Sequence, residues 1–174
     1  MLRKLLPAVA AFLALASLTV RAAGDEQIPV QNAFAGHNGN WVLNLMEGTK
    51  GEVNSETVDG KPAVRITVPT AGTKRYHVQL LCKGVSMQAD KTYRLHFRVR
   101  SKPDADLSVV AATFHGKFEE LWRQDHVTSK DGWTEYNCDI KPKTSDDSAQ
   151  IIFGGLAGVA GDYWLADVSI GESK

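Results

Sequence analysis

Cysteine is scarce in this 174-residue chain, proline occurs only six times, and neither sign of charge is in excess, with 20 lysines and arginines against 20 acids. The two cysteines, Cys82 and Cys138, lack the CxxC or Cys/His spacing of a zinc site. Few prolines, with 43% hydrophobic and 23% charged residues, exclude a disordered or collagen-like chain and point to one folded domain. Balanced charge gives no reason to expect nucleic acid or a membrane surface as partner. Several chemistries also lack their signatures. There is no G-x-S-x-G elbow, no H-E-x-x-H, no G-x-x-x-x-G-K-[ST] and no dinucleotide fingerprint, and Gly154 to Gly161 lacks the lysine of a phosphate loop.

What is present begins at the N terminus. Met1-Leu-Arg-Lys4 precedes an apolar run from Leu5 to Val20 and then the small-residue stretch Arg21-Ala22-Ala23-Gly24. That order predicts a secretory signal peptide over 1–22, cleaved after Ala22. The run is 16 residues long and contains Pro7, short of the roughly 20 needed to span a bilayer. No membrane insertion is therefore expected after cleavage, and no cysteine near the site marks a lipoprotein. The mature chain, 23–174, loses Arg3, Lys4 and Arg21 and no acid, which leaves 17 basic and 20 acidic groups and a net charge of −3. A secreted or periplasmic location follows, and an oxidising compartment permits a disulfide between Cys82 and Cys138. The alternative is two buried free thiols, since both cysteines share the parity of core-facing neighbours.

Along the mature chain the hydrophobic period is two, and no stretch of a dozen residues sustains helical spacing. Val64, Ile66 and Val68 alternate with Arg65 and Thr67, and Tyr93, Leu95, Phe97 and Val99 alternate with Arg94, His96, Arg98 and Arg100. Each segment predicts a strand with one wet face. Further strands are expected at 76–82, 107–115, 121–128, 133–140, 149–154 and 162–170. Turn signals separate them at Val58-Asp59-Gly60, Ala89-Asp90-Lys91, Lys102-Pro103-Asp104, Lys130-Asp131-Gly132 and Gly158 to Asp162. Eight or so strands without repeats predict an all-β fold, a β-sandwich of jelly-roll type.

The order Trp41-Val-Leu, Gly60 to Val68, Tyr76-His-Val-Gln-Leu80, Lys91-Thr-Tyr-Arg-Leu-His-Phe97, Leu121-Trp-Arg123, Trp133-Thr-Glu-Tyr136, Phe153-Gly-Gly155 and Trp164-Leu-Ala-Asp-Val-Ser-Ile170 resembles the carbohydrate-binding modules of families 4 and 9. The resemblance runs over roughly 31–173 and implies a galactose-binding-like jelly roll. It also implies a carbohydrate ligand, held in a groove on the concave sheet without chemistry, and a β-glucan or xylan as its class. Such modules usually accompany a glycoside hydrolase, here expected to be separately encoded. Relatives often carry an acid near Asp167 beside a structural calcium, so a calcium ion is the one cofactor the resemblance raises, although Asp25, Glu26 and their neighbours do not spell out the rest of a coordination shell; no cofactor is required for binding itself.

The chemistry of sugar recognition selects the candidate residues. A pyranose has an apolar C–H face that suits an aromatic ring, and hydroxyls that suit amide, guanidinium and imidazole groups. With Val78, Leu80 and Cys82 buried, His77 and Gln79 are expected on the other face, and Gln79 matches the family's Val-Gln-Leu strand. Tyr76 stands where many relatives have tryptophan and contributes if it sits at the strand's rim. Trp122 shares its parity with Gln124 and His126, opposite to Leu121 and Val127, which predicts an outward stacking platform. His115 closes a strand of small residues that leave space for a sugar. Each has a plainer reading as a solvated or packing residue. Trp164 is expected in the core with Ala166, Val168 and Ile170, Trp133 is read as structural, and Trp41 is left open between core and groove. The row Arg94, His96, Arg98, Arg100 reads as a solvated face or as a site for an acidic polysaccharide. Two functional alternatives remain beside binding. One is an envelope protein-interaction domain that has lost sugar binding. The other is a small jelly-roll polysaccharide lyase using Tyr76, His77, Gln79 and His115, whereas Glu119, Glu120 and Asp125 lack the opposed partner that glycoside hydrolysis needs.

Overall fold

The computed structural model describes residues 40–173. The expected signal peptide, and Asp25 and Glu26 after it, lie outside the described residues. Among these residues ten strands form two five-stranded antiparallel sheets. They are β1 (Asn40–Leu45), β2 (Glu52–Val58), β3 (Lys61–Val68), β4 (Val78–Met87), β5 (Tyr93–Lys102), β6 (Ala105–Ala112), β7 (Glu120–Ser129), β8 (Thr134–Ile140), β9 (Asp146–Gly154) and β10 (Gly161–Glu172). One sheet, here called A, runs β1-β4-β9-β6-β7; the other, B, runs β2-β3-β10-β5-β8. This is the expected all-β jelly-roll sandwich, with β1 and β2 added to the strands the periodicity marked.

Local chemistry explains the hairpins. Between β2 and β3, Asp59 (φ 53°) and Gly60 (φ 75°) are both left-handed, the conformation of the two-residue turn whose twist matches the flanking strands. The alternating positions then fill the space between the sheets. Val64, Ile66, Leu80, Leu95, Phe97, Ile151 and Tyr163 are almost wholly buried there. Phe97 lies edge-on to Phe153 at 5.3 Å and stacks on Tyr136 at 5.2 Å. Trp41, left open by the sequence, is a core residue, 4% exposed and stacked on Phe153 at 6.1 Å.

Two sequence expectations change here. Trp164 does not point inward: Tyr163 and Leu165 do, while Trp164 lies on the outer face of sheet B. A register shift between Ala166 and Ser169, with Asp167 left-handed at φ 52°, inserts an extra residue, so Val168 returns to the core and the parity of the strand reverses. The ring is held between Arg65 (5.5 Å) and Arg100 (5.2 Å), and its indole N–H donates to Glu56. The cysteines are both buried and both free, not bridged. Cys82 is in β4, second from the β1 edge of sheet A, whereas Cys138 is in β8, the edge strand of sheet B that abuts β7. Three strand spacings, about 14 Å, separate β4 from β7, far more than the span of a disulfide.

Candidate functional site

The outer face of sheet A carries the arrangement a ligand would meet. Val42 pairs with Leu81, Leu81 with Ile152, and Ile152 with Val110. These four make one apolar row across β1, β4, β9 and β6, joined by Ala112 as a buried hydrophobic cluster, each member at most 7% exposed, separate from the main core. At 4.8 Å per strand the row is about 14 Å long. The alternation that buries Leu80, Ile151 and Val109 in the sandwich puts their neighbours here, so the strip follows from strands apolar on both faces.

Polar groups flank the row on both sides. Toward the start of β4, Asn44 Nδ2 donates to Gln79 Oε1 at 3.3 Å across the β1–β4 pair. Toward its other end, Lys83 pairs with Gln150, and Gln150 with Ala112. Gln150 is 8% exposed, and its Nε2 donates to the Thr113 carbonyl at 3.0 Å. At the β7 edge Arg123, opposite Val110, binds Glu120 at 2.8 Å and Asp125 at 3.1 Å. Its guanidinium is held above its usual pKa, first by the Glu120 hydrogen bond.

Exposed aromatic rings stand beyond the two polar flanks, at opposite ends of the strands. Tyr76 is 53% exposed in the 3-10 turn 75–77 that leads into β4, edge-on to His77 at 5.0 Å. The 113–119 loop after β6 presents Phe114 and Phe118, 38% and 58% exposed. That loop is braced. Thr113 N donates to Glu119 O, Thr113 Oγ1 donates to Lys117 O and accepts from Glu119 N, and Gly116 supplies the left-handed turn at φ 76°.

Of the five residues singled out for ligand contact, Gln79 lies on this face as expected. Tyr76 lies at one end and His115 at the other, exposed on the loop with its ring 4.7 Å from Phe114. His77 does not share the face with Gln79. It precedes the strand, and the 3-10 turn rotates it inward to 4% exposure, 3.5 Å from Thr73 Oγ1. Trp122 also turns away. A register shift between Ala111 and Ala112 sets it opposite Ala111, a core residue, and it packs against the main core. The grouping of Tyr76, His77, Gln79 and His115 considered for a lyase is thus not assembled, because His77 is buried and His115 sits at the far end of the sheet. Phe114, Phe118, Asn44, Lys83, Gln150 and Arg123 were not marked by the sequence reading; the Phe114-His-Gly-Lys-Phe118 run, a turn flanked by aromatics, was the available signal.

The outer face of sheet B differs. The expected basic row is neutralised residue by residue. Arg94 binds Asp139 (2.8 Å), His96 contacts Glu135 (3.1 Å), Arg98 binds Asp167 (2.6 Å) and Arg100 binds Asp131 (2.8 Å). Arg98 also lies over Trp133 at 4.8 Å, whose indole N–H donates to Asp59. Asp167, the acid named for a calcium, is engaged by cations in the described residues. Its carboxylate faces Arg98 and Lys61 (3.8 Å), its carbonyl is bonded to His96 Nδ1 at 2.8 Å, and no group of three acidic, histidine or cysteine side chains suited to a metal occurs among the described residues. Among those residues no helix is long and apolar enough to cross a membrane.

The two antiparallel sheets define a sandwich of jelly-roll type, whose sheet A carries a buried apolar row between amide-bearing flanks with exposed aromatic rings beyond them. The chain belongs to the carbohydrate-binding domain family CBM 4/9, which residues 27–156 match. No curated protein sequence matches it. Among solved structures it is similar to a family 4 carbohydrate-binding module, with a TM-score of 0.66 at 20% identity over 80% of this chain and 90% of the other. It is also similar to the second N-terminal cellulose-binding domain of Cellulomonas fimi β-1,4-glucanase C, at 0.59 and 21% over 86% and 97%. A CBM22 xylan-binding domain from Paenibacillus barcinonensis gives 0.56 and 15% over 87% and 99%. At such identities the likenesses show the fold, while family membership supports non-catalytic sugar binding.

Proposed function

We propose that this domain binds a β-linked polysaccharide of the glucan or xylan type across the outer face of sheet A, and exerts no chemistry on it. The observation that carries the reading is the apolar row Val42-Leu81-Ile152-Val110 set between the Asn44–Gln79 pair and the Lys83–Gln150 pair. The exposed rings of Tyr76, Phe114 and Phe118 would stack on the C–H faces of sugar rings and the Asn44 and Gln79 amides would meet their hydroxyls, while the row itself, 4–7% exposed, forms the floor between them. The cellulose- and xylan-binding domains it is similar to suggest the two polymer classes.

Export and cooperation with a separately encoded glycoside hydrolase belong to the same proposal. Affinity electrophoresis against soluble β-glucans, xylans and mannans, with product analysis of each incubation, tests it. Retardation by a glucan or xylan without new chain ends is the expected result. Shortened or unsaturated products would make the protein an enzyme, and silence across the panel would move the weight to a protein-interaction role. Faster hydrolysis of insoluble polymer by an added glycoside hydrolase would support the accessory role.

A further inference from the structure

The acidic-polysaccharide reading of the row on β5 fails because every cation in it has an acid beside it. The same pairing holds across the described residues. Each of their six arginines lies within ion-pair distance of a carboxylate, and so do the strand lysines Lys61 (3.8 Å) and Lys102 (3.6 Å). Lys83 is the exception among strand cations. It is half-buried on the outer face of sheet A, one pleat from Leu81 in the apolar row, and its ammonium lies over the Phe114 ring at 4.7 Å, with no carboxylate of the described residues in contact. Glu120, which shares its cross-sheet line through Gln150 and Ala112, is already bound by Arg123.

A half-buried ammonium beside an apolar strip loses hydration that only a carboxylate or several hydrogen bonds restore. The cation–π contact orients it without neutralising it, and the braced 113–119 loop fixes the ring beneath it, so little order has to be created on binding. Gln150 stands next to it with an amide held by Thr113.

We infer that Lys83, seated on Phe114, makes this face a receptor for a carboxylate-bearing β-glycan, a uronate on or along the chain, in preference to the uncharged polymer. The inference rests on the reading of sheet A as the glycan face. In it the sugar backbone crosses the face beside the exposed Phe114 ring, and the uronate carboxylate accepts a charge-assisted hydrogen bond from Lys83 Nζ.

The test is binding of the full protein to two matched pairs: a glucuronoxylan beside its carboxyl-reduced form, and a C6-oxidised β-glucan beside the unoxidised glucan. The wild-type protein is expected to bind at least one charged member about ten- to hundredfold more tightly than its uncharged partner, with the difference narrowing at high salt. Lys83→Met keeps an unbranched apolar stem over Phe114 and is expected to abolish the preference, so that the two members of each pair bind it equally; Lys83→Arg is expected to retain it. Equal wild-type affinity within both pairs, or a preference that survives Lys83→Met, would overturn the inference and leave the glycan face standing. Binding to no member of either pair would overturn the β-glucan or xylan reading, and this inference with it.

Discussion

Gln79 bonds Asn44 across neighbouring strands on the solvent side of sheet A, outside the core. Its removal should therefore separate affinity from stability. Gln79→Ala is expected to weaken glycan binding about three- to tenfold, with the melting temperature almost unchanged; calorimetric titration and a thermal scan of the same sample check both. Trp164 is the opposite case, a ring clasped by two guanidiniums on the other sheet. Trp164→Ala should leave glycan affinity intact and cost about 2 kcal/mol of stability in urea unfolding. Next to it, the hydrogen bond from Arg65 holds the Asp162 carboxyl below its ordinary 3.8, burial opposes this, and the Thr67 hydroxyl assists. A depressed carboxylate stabilises the fold fully above the unfolded value and loses that contribution as pH falls through the folded one. Stability should thus decline below about pH 3.8, and Asp162→Asn should be less stable at pH 7 yet decline less steeply in acid, as urea midpoints across pH would reveal.

Elements fail or succeed as units, and the decisive unit here is the bulge in β10. Asp167 is left-handed at φ 52° while its carboxylate ties Arg98 and Lys61. Both Asp167→Ala and Asp167→Gly lose these ion pairs, but only glycine accepts the backbone without strain, so the alanine variant should be the less stable by about 1 kcal/mol. Equal urea midpoints would mean that the bulge is not strained. The same bulge explains what the sequence could and could not disclose. Parity located β3 and β8 because their pairing is regular, and β5 because the extra residue of its one register shift lies in β10, and it put Gln79 on the correct face. It misassigned Trp164 and Trp122 because each strand carries a register shift that resets the alternation, and nothing in a period-two pattern announces the extra residue. His77 was misplaced for a related reason, since a 3-10 turn at the strand entrance obeys neither period. The apolar row was hidden differently. Leu81, Ile152 and Val110 read as continuous hydrophobic strands, and only the pairing of four strands reveals that their second residues line up.

At the scale of the whole molecule, strand order decides which residues can meet. The parity that points both sulfurs inward is correct, yet inward from β4 of one sheet and from β8 at the edge of the other are different regions of the core. Burial then governs their chemistry. It pushes the Cys82 thiol up to about 12, and burial, followed by the charge of Asp139, raises Cys138 as well. Thiolate is the reactive form, so at neutral pH the folded protein should resist thiol reagents at both positions, Cys82 most completely. Denatured without reductant, the chain should titrate two thiols, and its intact mass should be the same before and after reduction. A gain of two daltons on reduction would mean that the cysteines are bridged, which would require β4 and β8 to approach each other across the sandwich and would overturn the strand order itself.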